Sequence, residues 1–270
     1  MTADKSTYPV VAISADRGIP KSQLDKLAQQ TSLALSSPTI DADFLLHITT
    51  DKLELRKIEK TLKKPTKNTL AISVNFTEGK AHHRRLHGGG KGQDIAKAVG
   101  LHKIDQPKVL DLTAGMGGDA FVLASLGATV TMVERNIIVY ALLNDGLNRA
   151  KLIHDDELQA IISRLSLIKQ NATEYLNQLQ ESEYPDVIYL DPMFPSRTKS
   201  AQVKKEMQFF YDIVGSDEDS EALLLLALKM AKKRIVVKRP RLAPELTKSA
   251  KPAFQITGKT TRYDIYLPNN

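Results

Sequence analysis

Asp191-Pro192-Met193-Phe194-Pro195 follows directly on Asp186-Val187-Ile188-Tyr189-Leu190, whose short apolar run predicts a strand. In a parallel sheet ligands sit at the carboxyl ends of the strands, so this block falls where chemistry is done. An acid, a stiff proline and an aromatic ring suit a planar base that carries an exocyclic amine. The Asp191 carboxylate and the Pro192 carbonyl would both accept hydrogen bonds from the –NH2, drawing the nitrogen lone pair out of conjugation and aiming it. Phe194 would stack on the ring, a contact worth about 1–3 kcal/mol. Two prolines would keep the turn rigid enough for near-attack positioning. The same residues also make an ordinary tight Asp-Pro turn with Phe194 buried, so the block alone does not define a reaction.

A second group lies upstream. Val109–Leu112 predicts a strand that runs into Thr113-Ala114-Gly115-Met116-Gly117-Gly118-Asp119-Ala120, a glycine-rich turn that opens a helix, and Glu134 ends the next predicted strand. Gly115-x-Gly117-x-x-Ala120 with an acid about 20 residues on fits a nucleotide-cofactor fingerprint, and the acid would hold the ribose of NAD or of S-adenosylmethionine alike. Charge separates the two. A dinucleotide sets its pyrophosphate against the helix N-terminus, where bare N–H groups and the helix dipole attract an anion. Asp119 already occupies that place, and Asp111 at the carboxyl end of the first strand adds negative potential. S-adenosylmethionine carries no phosphate, and its sulfonium and ammonium groups are cationic. Asp111, Asp119 and Glu134 together suit it and oppose NAD.

These residues need a frame. At 270 residues, 42% hydrophobic and 26% charged, the chain has the composition of an ordinary globular protein. Its longest apolar run, Ala222 to Leu228, is far short of the roughly 20 residues of a membrane span. The N-terminus is polar, without a secretory h-region, so a cytoplasmic location is expected. Zero cysteines exclude disulfides, thiolate zinc sites, iron–sulfur clusters and methylation through a cysteine adduct. Of the net charge of +7, the stretch Lys52–Lys103 carries thirteen Lys/Arg against four Asp/Glu, a balance of +9, so the remainder holds −2. Such concentration points to a polyanionic partner, nucleic acid first, against the alternative of a solvated lysine-rich face.

The first hundred residues read as a small α/β unit: strands at Pro9–Ile13 and Leu70–Phe76, a hairpin from Phe44–Thr49 and Leu53–Ile58, a basic loop over His82–Gly92, and a helix Gln93–Val99 stopped by Gly100. From Pro107 strands and helices alternate. Strands are expected at Val109–Leu112, Thr129–Val133, Ser166–Ile168, Val187–Leu190 and Ile235–Val237, with helices at Ala120–Leu126, Ile137–Ala150, Thr173–Leu179 and Glu221–Ala231. That pattern implies a parallel sheet covered on both faces. Phe254–Thr257 and Tyr263–Leu267 close it as an antiparallel hairpin. The expected architecture is α/β: a small basic N-terminal domain (1–98) and a Rossmann-like, mostly parallel domain (99–270).

Asp111 to Ala124, Val133-Glu134-Arg135-Asn136, Asp191 to Pro195 and Lys199 to Met207 resemble class I S-adenosylmethionine-dependent methyltransferases. They are more closely similar to the ribosomal RNA small subunit methyltransferase J family. His83-Arg84-Arg85-x-x-Gly88-Gly89-Gly90-x-Gly92, Ala96–Gly100, Val236–Pro240 and Arg262–Tyr266 extend the resemblance over roughly residues 80 to 267. It implies direct in-line transfer of a methyl group from S-adenosylmethionine to the exocyclic N2 of a guanosine in 16S ribosomal RNA, as free RNA or in the subunit. It implies cofactor contacts from Gly118, Asp119, Glu134 (ribose), Arg135, Gln170 and Asn171 (adenine side) and Asp191, beside Asp111, Gly115 and Gly117 of the turn. Met193 stands where the wider amino-methyltransferase pattern has a second proline, which leaves open whether Asp191 meets the amine, the cofactor or both.

Arg84, Arg85 and Lys91 would grip RNA phosphates, as would Lys199, Lys204 and Lys205, with Lys238, Arg239 and Arg241 extending the patch. His83 and His87 have an i, i+4 spacing seen in zinc sites, but no third ligand accompanies them, so no metal is expected. Ser196 lacks a His/Asp partner and no phosphate-loop motif is present. Two other classes stay open: an RNA-binding module with a silent methyltransferase fold, and an amine methyltransferase for another substrate.

Overall fold

The short β-branched runs pair into two separate sheets. The computed structural model describes residues 9–37, 40–58, 71–78, 90–193, 211–215 and 219–269. Phe194, Arg84, Arg85, Lys199, Lys204, Lys205, His83, His87 and Ser196 lie outside the described residues. By contacts, described residues within Met1–Val74, Ile137–Gly146 and Arg197–Gly215 gather into one unit, and those within Asn75–Asn136, Leu147–Ser196 and Ser216–Asn270 into another. The chain first leaves the smaller unit at Val74, whereas the sequence places the domain boundary after residue 98.

In the smaller unit β1 (Val11–Ala15), β2 (Phe44–Ile48), β3 (Leu53–Lys57) and β4 (Ala71–Ile72) form a sheet in the order β1-β2-β3-β4. β2 and β3 make the expected antiparallel hairpin, with Phe44 opposite Lys57, whereas β1 and β2 are parallel. β4 is shorter than its alternating pattern predicted. Helix α1 (Lys21–Thr31), absent from the sequence expectations, buries Leu27 and Thr31. The buried His47 has partners on both ring nitrogens, Ser14 Oγ at 2.8 Å and Asp16 Oδ1 at 3.0 Å, as a buried polar group requires.

The larger unit contains α2 (Asp94–Val99), β5 (Lys108–Asp111), α3 (Gly118–Ser125), β6 (Thr129–Glu134), the end of α4 (Ile137–Lys151), α5 (Asp156–Ile162), β7 (Leu165–Lys169), α6 (Ala172–Gln178), β8 (Val187–Leu190), α7 (Ser220–Ala227), β9 (Arg234–Pro240), β10 (Phe254–Thr257) and β11 (Thr261–Tyr266). Its seven strands run in the order β10-β11-β9-β8-β5-β6-β7. β9 through β7 are parallel, and β11 is antiparallel to both its neighbours, so the expected sheet and terminal hairpin are present. The chain winds outward from β5 to β7, then returns to β8 on the other side of β5. The switch point therefore lies between β5 and β8, where open α/β sheets bind ligands.

Alternation along the strands assigns two faces. Leu110, Leu112, Ile188, Leu190, Ile235 and Val237 pack with Leu176 of α6 and Leu223, Leu224 and Ala227 of α7. Val109, Asp111, Tyr189, Val236 and Lys238 consequently belong to the opposite face, the side of α3, whose Ala120–Ala124 are all buried. Every residue of β8 is buried, which is why it reads as an unbroken apolar run.

After β9, Arg262 Nε and Nη2 fork onto Asp264 Oδ1 and Oδ2 at 2.7 and 2.9 Å, and Nη1 donates to the Ala243 carbonyl at 2.8 Å. Arg239 Nε and Nη2 both donate to the Pro244 carbonyl, at 3.2 and 3.1 Å. This corrects the expectation that Arg239 extends a basic surface: it is only 4% exposed, and its donors pin the loop that follows β9. Among the described residues, no helix is long and apolar enough to cross a membrane.

Candidate active site

The turn after β5 needs backbone that only glycine adopts freely. Gly115 (φ 53°) and Gly117 (φ 71°) are both left-handed, and Gly117 caps α3. A Cβ placed on Gly118 would meet nothing within 4 Å, so the first turn of α3 borders open space. Asp119 stands in that first turn.

Three carboxylates converge here, and a lysine ties two of them together. Lys238 Nζ on β9 donates to Asp119 Oδ2 at 2.6 Å and to Asp191 Oδ2, just beyond β8, at 2.7 Å. Tyr189 of β8 donates its hydroxyl to the same Asp119 oxygen at 2.8 Å. The Asp191 N–H donates to Thr113 Oγ1 at 2.6 Å, joining the carboxyl ends of β8 and β5. The Thr113 N–H in turn donates to Asp111 Oδ1 at 3.1 Å. At the end of β6, Glu134 accepts from Gly115 N–H at 3.0 Å and Asn136 N–H at 2.7 Å, so the acid also braces the glycine turn.

Environment sets the charges. Asp111 is 2% exposed, and burial pushes its pKa up to about 7. The Thr113 N–H opposes this, and the charges of Asp119 and Asp191 add to it. Burial alone would lower the Lys238 pKa, but Asp191 and Asp119 outweigh it and hold the ammonium above its ordinary value. Burial, followed by the charge of Asp119, raises the Tyr189 phenol well above 10, so it stays a donor. One ammonium against Asp111, Asp119, Asp191 and Glu134 leaves the site negative.

Sequence expectations meet this geometry unevenly. Asp111, Asp119, Asp191 and Glu134 come together around Gly115, Gly117 and Gly118, with Pro192 buried next in the chain. Gln170 lies beside Glu134, whose carbonyl its N–H reaches at 3.2 Å. Asn171 caps α6 through Oδ1, accepting from Thr173 and Glu174 N–H. Arg135 pairs with Asp219 at 2.9 Å. Lys91 is exposed on a separate cleft. Lys238 is the main correction: expected on an RNA-facing patch, it is the counter-ion of the acidic cluster, because a lysine on a covered strand must find carboxylates. Tyr189 and Thr113 were also missed as site residues. A tyrosine in a fully apolar strand was the available signal, since its hydroxyl needs a partner when buried.

Replacing Lys238 with Met keeps the apolar stem and removes the charge. Breaking a fully buried ion pair costs about 3–5 kcal/mol. Because the Lys238 and Asp191 side chains are 26% and 39% exposed, a smaller loss of about 1–2 kcal/mol is expected at pH 8. The loss should shrink in acid as the carboxylates take up protons, and urea unfolding at pH 8 and pH 5 measures both.

A parallel sheet with its switch point at a glycine turn, a terminal antiparallel hairpin and an acidic site hostile to phosphate define a class I methyltransferase. The chain matches the family model for SAM-dependent methyltransferases over residues 26–268. It is 54% identical over 73% of its length to a ribosomal RNA small subunit methyltransferase J from Cellvibrio japonicus (74% of that protein), and 49% identical over 92% to one from Vibrio campbellii (93%). A crystal structure of a SAM-dependent methyltransferase from Neisseria gonorrhoeae superposes with a TM-score of 0.72 at 36% identity, covering 96% of both chains. The chain belongs to the ribosomal RNA small subunit methyltransferase J family of S-adenosylmethionine-dependent enzymes. The donor set fits that cofactor: a negative cluster for its cations, an acid at the end of β6 for its ribose, and open space along Gly118. Among the described residues no group of three or more His, Cys, Asp or Glu could hold a metal ion.

Proposed function

We propose that this chain methylates the exocyclic N2 of a guanosine in 16S ribosomal RNA, working in the cytoplasm where small subunits are found. The names of its relatives support the RNA substrate. The observation that carries the chemistry is the cluster of Asp111, Asp119 and Asp191 around Lys238 at the switch point. S-adenosylmethionine, when bound, supplies an activated methyl group on a cationic sulfur.

The chain supplies position and charge. Asp119 and Asp111 provide the negative field of the turn, and the Glu134 carboxylate at the end of β6 accepts from the ribose hydroxyls. Asp191 and the Pro192 carbonyl accept from the guanine amine and aim its lone pair. Lys238 fixes the Asp191 carboxylate, and Thr113 fixes its backbone. With 39% of its side chain exposed, Asp191 can pass the amine's released proton to water. Orientation and electrostatics then account for the acceleration, with no enzyme adduct. The target base has to be unpaired or flipped to enter.

Incubation with methyl-labelled donor and either free 16S RNA or small subunits, followed by nucleoside analysis, should yield N2-methylguanosine. Label on adenosine or on protein overturns the target assignment. NADH binding in a parallel calorimetric titration overturns the electrostatic reading, and failure to bind the methyl donor would favour a silent RNA-binding module.

A further inference from the structure

On the sheet face that carries the acidic cluster, but displaced toward the amino ends of the strands, lies a cleft of about 440 Å³. Lys91, Lys97, Lys103 and Arg234 line it with His102, Phe254 and Ile256, and among the described residues no carboxylate lines it. Lys91, Lys97, His102 and Lys103 are exposed, and Phe254 is 46% exposed, a large apolar ring kept in water. Lys97 Nζ also lies 3.6 Å from Asp94 Oδ1, a solvent-exposed ion pair one turn back on α2.

Arg234 forms the inner wall. Its Nη1 donates to the Ala98 carbonyl at 3.0 Å, and its buried Nε has no partner among the described residues. Gly100, at φ 84°, makes room for it: a Cβ there would sit 2.8 Å from the guanidinium carbon. Register fixes the placement. Phe254 is opposite Ile265, which is opposite Val236, and Arg234 shares a strand face with Lys238 four positions on. At about 3.3 Å per residue the cleft lies roughly 13 Å from the methyl-transfer cluster.

We propose that this cleft holds a single-stranded segment of the ribosomal RNA near the target nucleotide, its phosphates on Lys91, Lys97 and Lys103 and one base stacked on Phe254. The proposal rests on the reading of the chain as a ribosomal RNA methyltransferase. A cationic groove with an exposed aromatic is how proteins hold single strands without reading sequence. An acidic peptide would find the same cations but gives no reason for the solvated ring. Three of the cations belong to the strongly basic stretch Lys52–Lys103, which the acidic cluster does not use.

Phe254→Ala and the double variant Lys97→Ala/Lys103→Ala test it, in steady-state methylation of free 16S RNA and of assembled subunits, with donor affinity measured by calorimetry. Each should raise KM for free RNA about tenfold with kcat and donor affinity unchanged. In RNA-binding titrations the double variant should also flatten the salt dependence by about 1.4, roughly 0.7 for each lost phosphate contact. Wild-type KM and salt slope in these variants overturn the proposal. So does a defect confined to assembled subunits, which would mark a protein-facing surface, and so does a loss of donor affinity, which would mark a structural role. If wild-type protein binds donor yet methylates neither substrate, the methylation reading fails, and the same binding titrations still judge the cleft.

Discussion

Asp191→Ala is expected to lower kcat for methyl transfer roughly a hundred- to a thousand-fold, the loss typical of removing one preorganised polar group at the reacting centre. The fold should survive. The bond from the Asp191 N–H to Thr113 Oγ1 belongs to the backbone, and Lys238 keeps Asp119 as a partner. Asp191→Asn is the informative companion, because it preserves shape while weakening the acceptor and turning half of the group into a donor. If the carboxylate acts on the amine, both variants lose kcat, and the loss exceeds any change in donor affinity. Wild-type turnover in either variant would remove Asp191 from the reaction.

The second large effect is on stability, at Asp111. Its folded-state pKa of about 7 lies above the ordinary 3.8, so the folded protein holds this proton more tightly than the unfolded chain does. Between those two values stability falls as the pH rises, and above about 7 the penalty is complete, up to roughly 4 kcal/mol. Asp111→Asn removes the charge and keeps an oxygen for the Thr113 N–H, but adds a buried –NH2 whose imperfect satisfaction costs about 1–3 kcal/mol. The variant should therefore be about 1–3 kcal/mol more stable than wild type at pH 8 and no more stable at pH 5. Denaturant unfolding at the two pH values decides it, and equal stability at pH 8 would show that Asp111 carries no such strain. Donor affinity should fall in the same variant, a trade of function for stability.

Much of the frame was legible because its determinants are local. The hairpin of β2 and β3, the parallel strands and the closing pair β10–β11 follow from short β-branched runs and turn residues, and the structure moves their ends by at most three residues. Helices α1 and α5 carried usable signals that went unread: Leu24, Leu27, Ala28 and Thr31 at helical spacing after Pro20, and Asp155 placed to cap Leu158 N–H. The site was harder to read. Asp111, Asp119, Glu134 and Asp191 each stand out beside a strand end or turn, but the role of Lys238 depends on β9 lying next to β8, a long-range fact. In the string Val-Val-Lys-Arg-Pro both basic residues look like surface. Folded, one faces three carboxylates and the other is buried beside the loop after β9. Phe194 and the basic loop as far as Gly89 lie outside the described residues, so the expectations for Phe194, Arg84 and Arg85 stand as proposals.

The bridge from Lys238 to Asp119 and Asp191 also dictates when this centre can come into being. Its pieces are drawn from residue 111 at one extreme and residue 238 at the other, across four separate strands and a helix start. During synthesis, which proceeds from the N-terminus, a nascent chain can close the glycine turn early but has no ammonium to hold the acids together until β9 has emerged and docked. Donor capture should therefore be all-or-none with completion of the sheet, and saturating donor should raise the melting temperature of the larger unit as a whole.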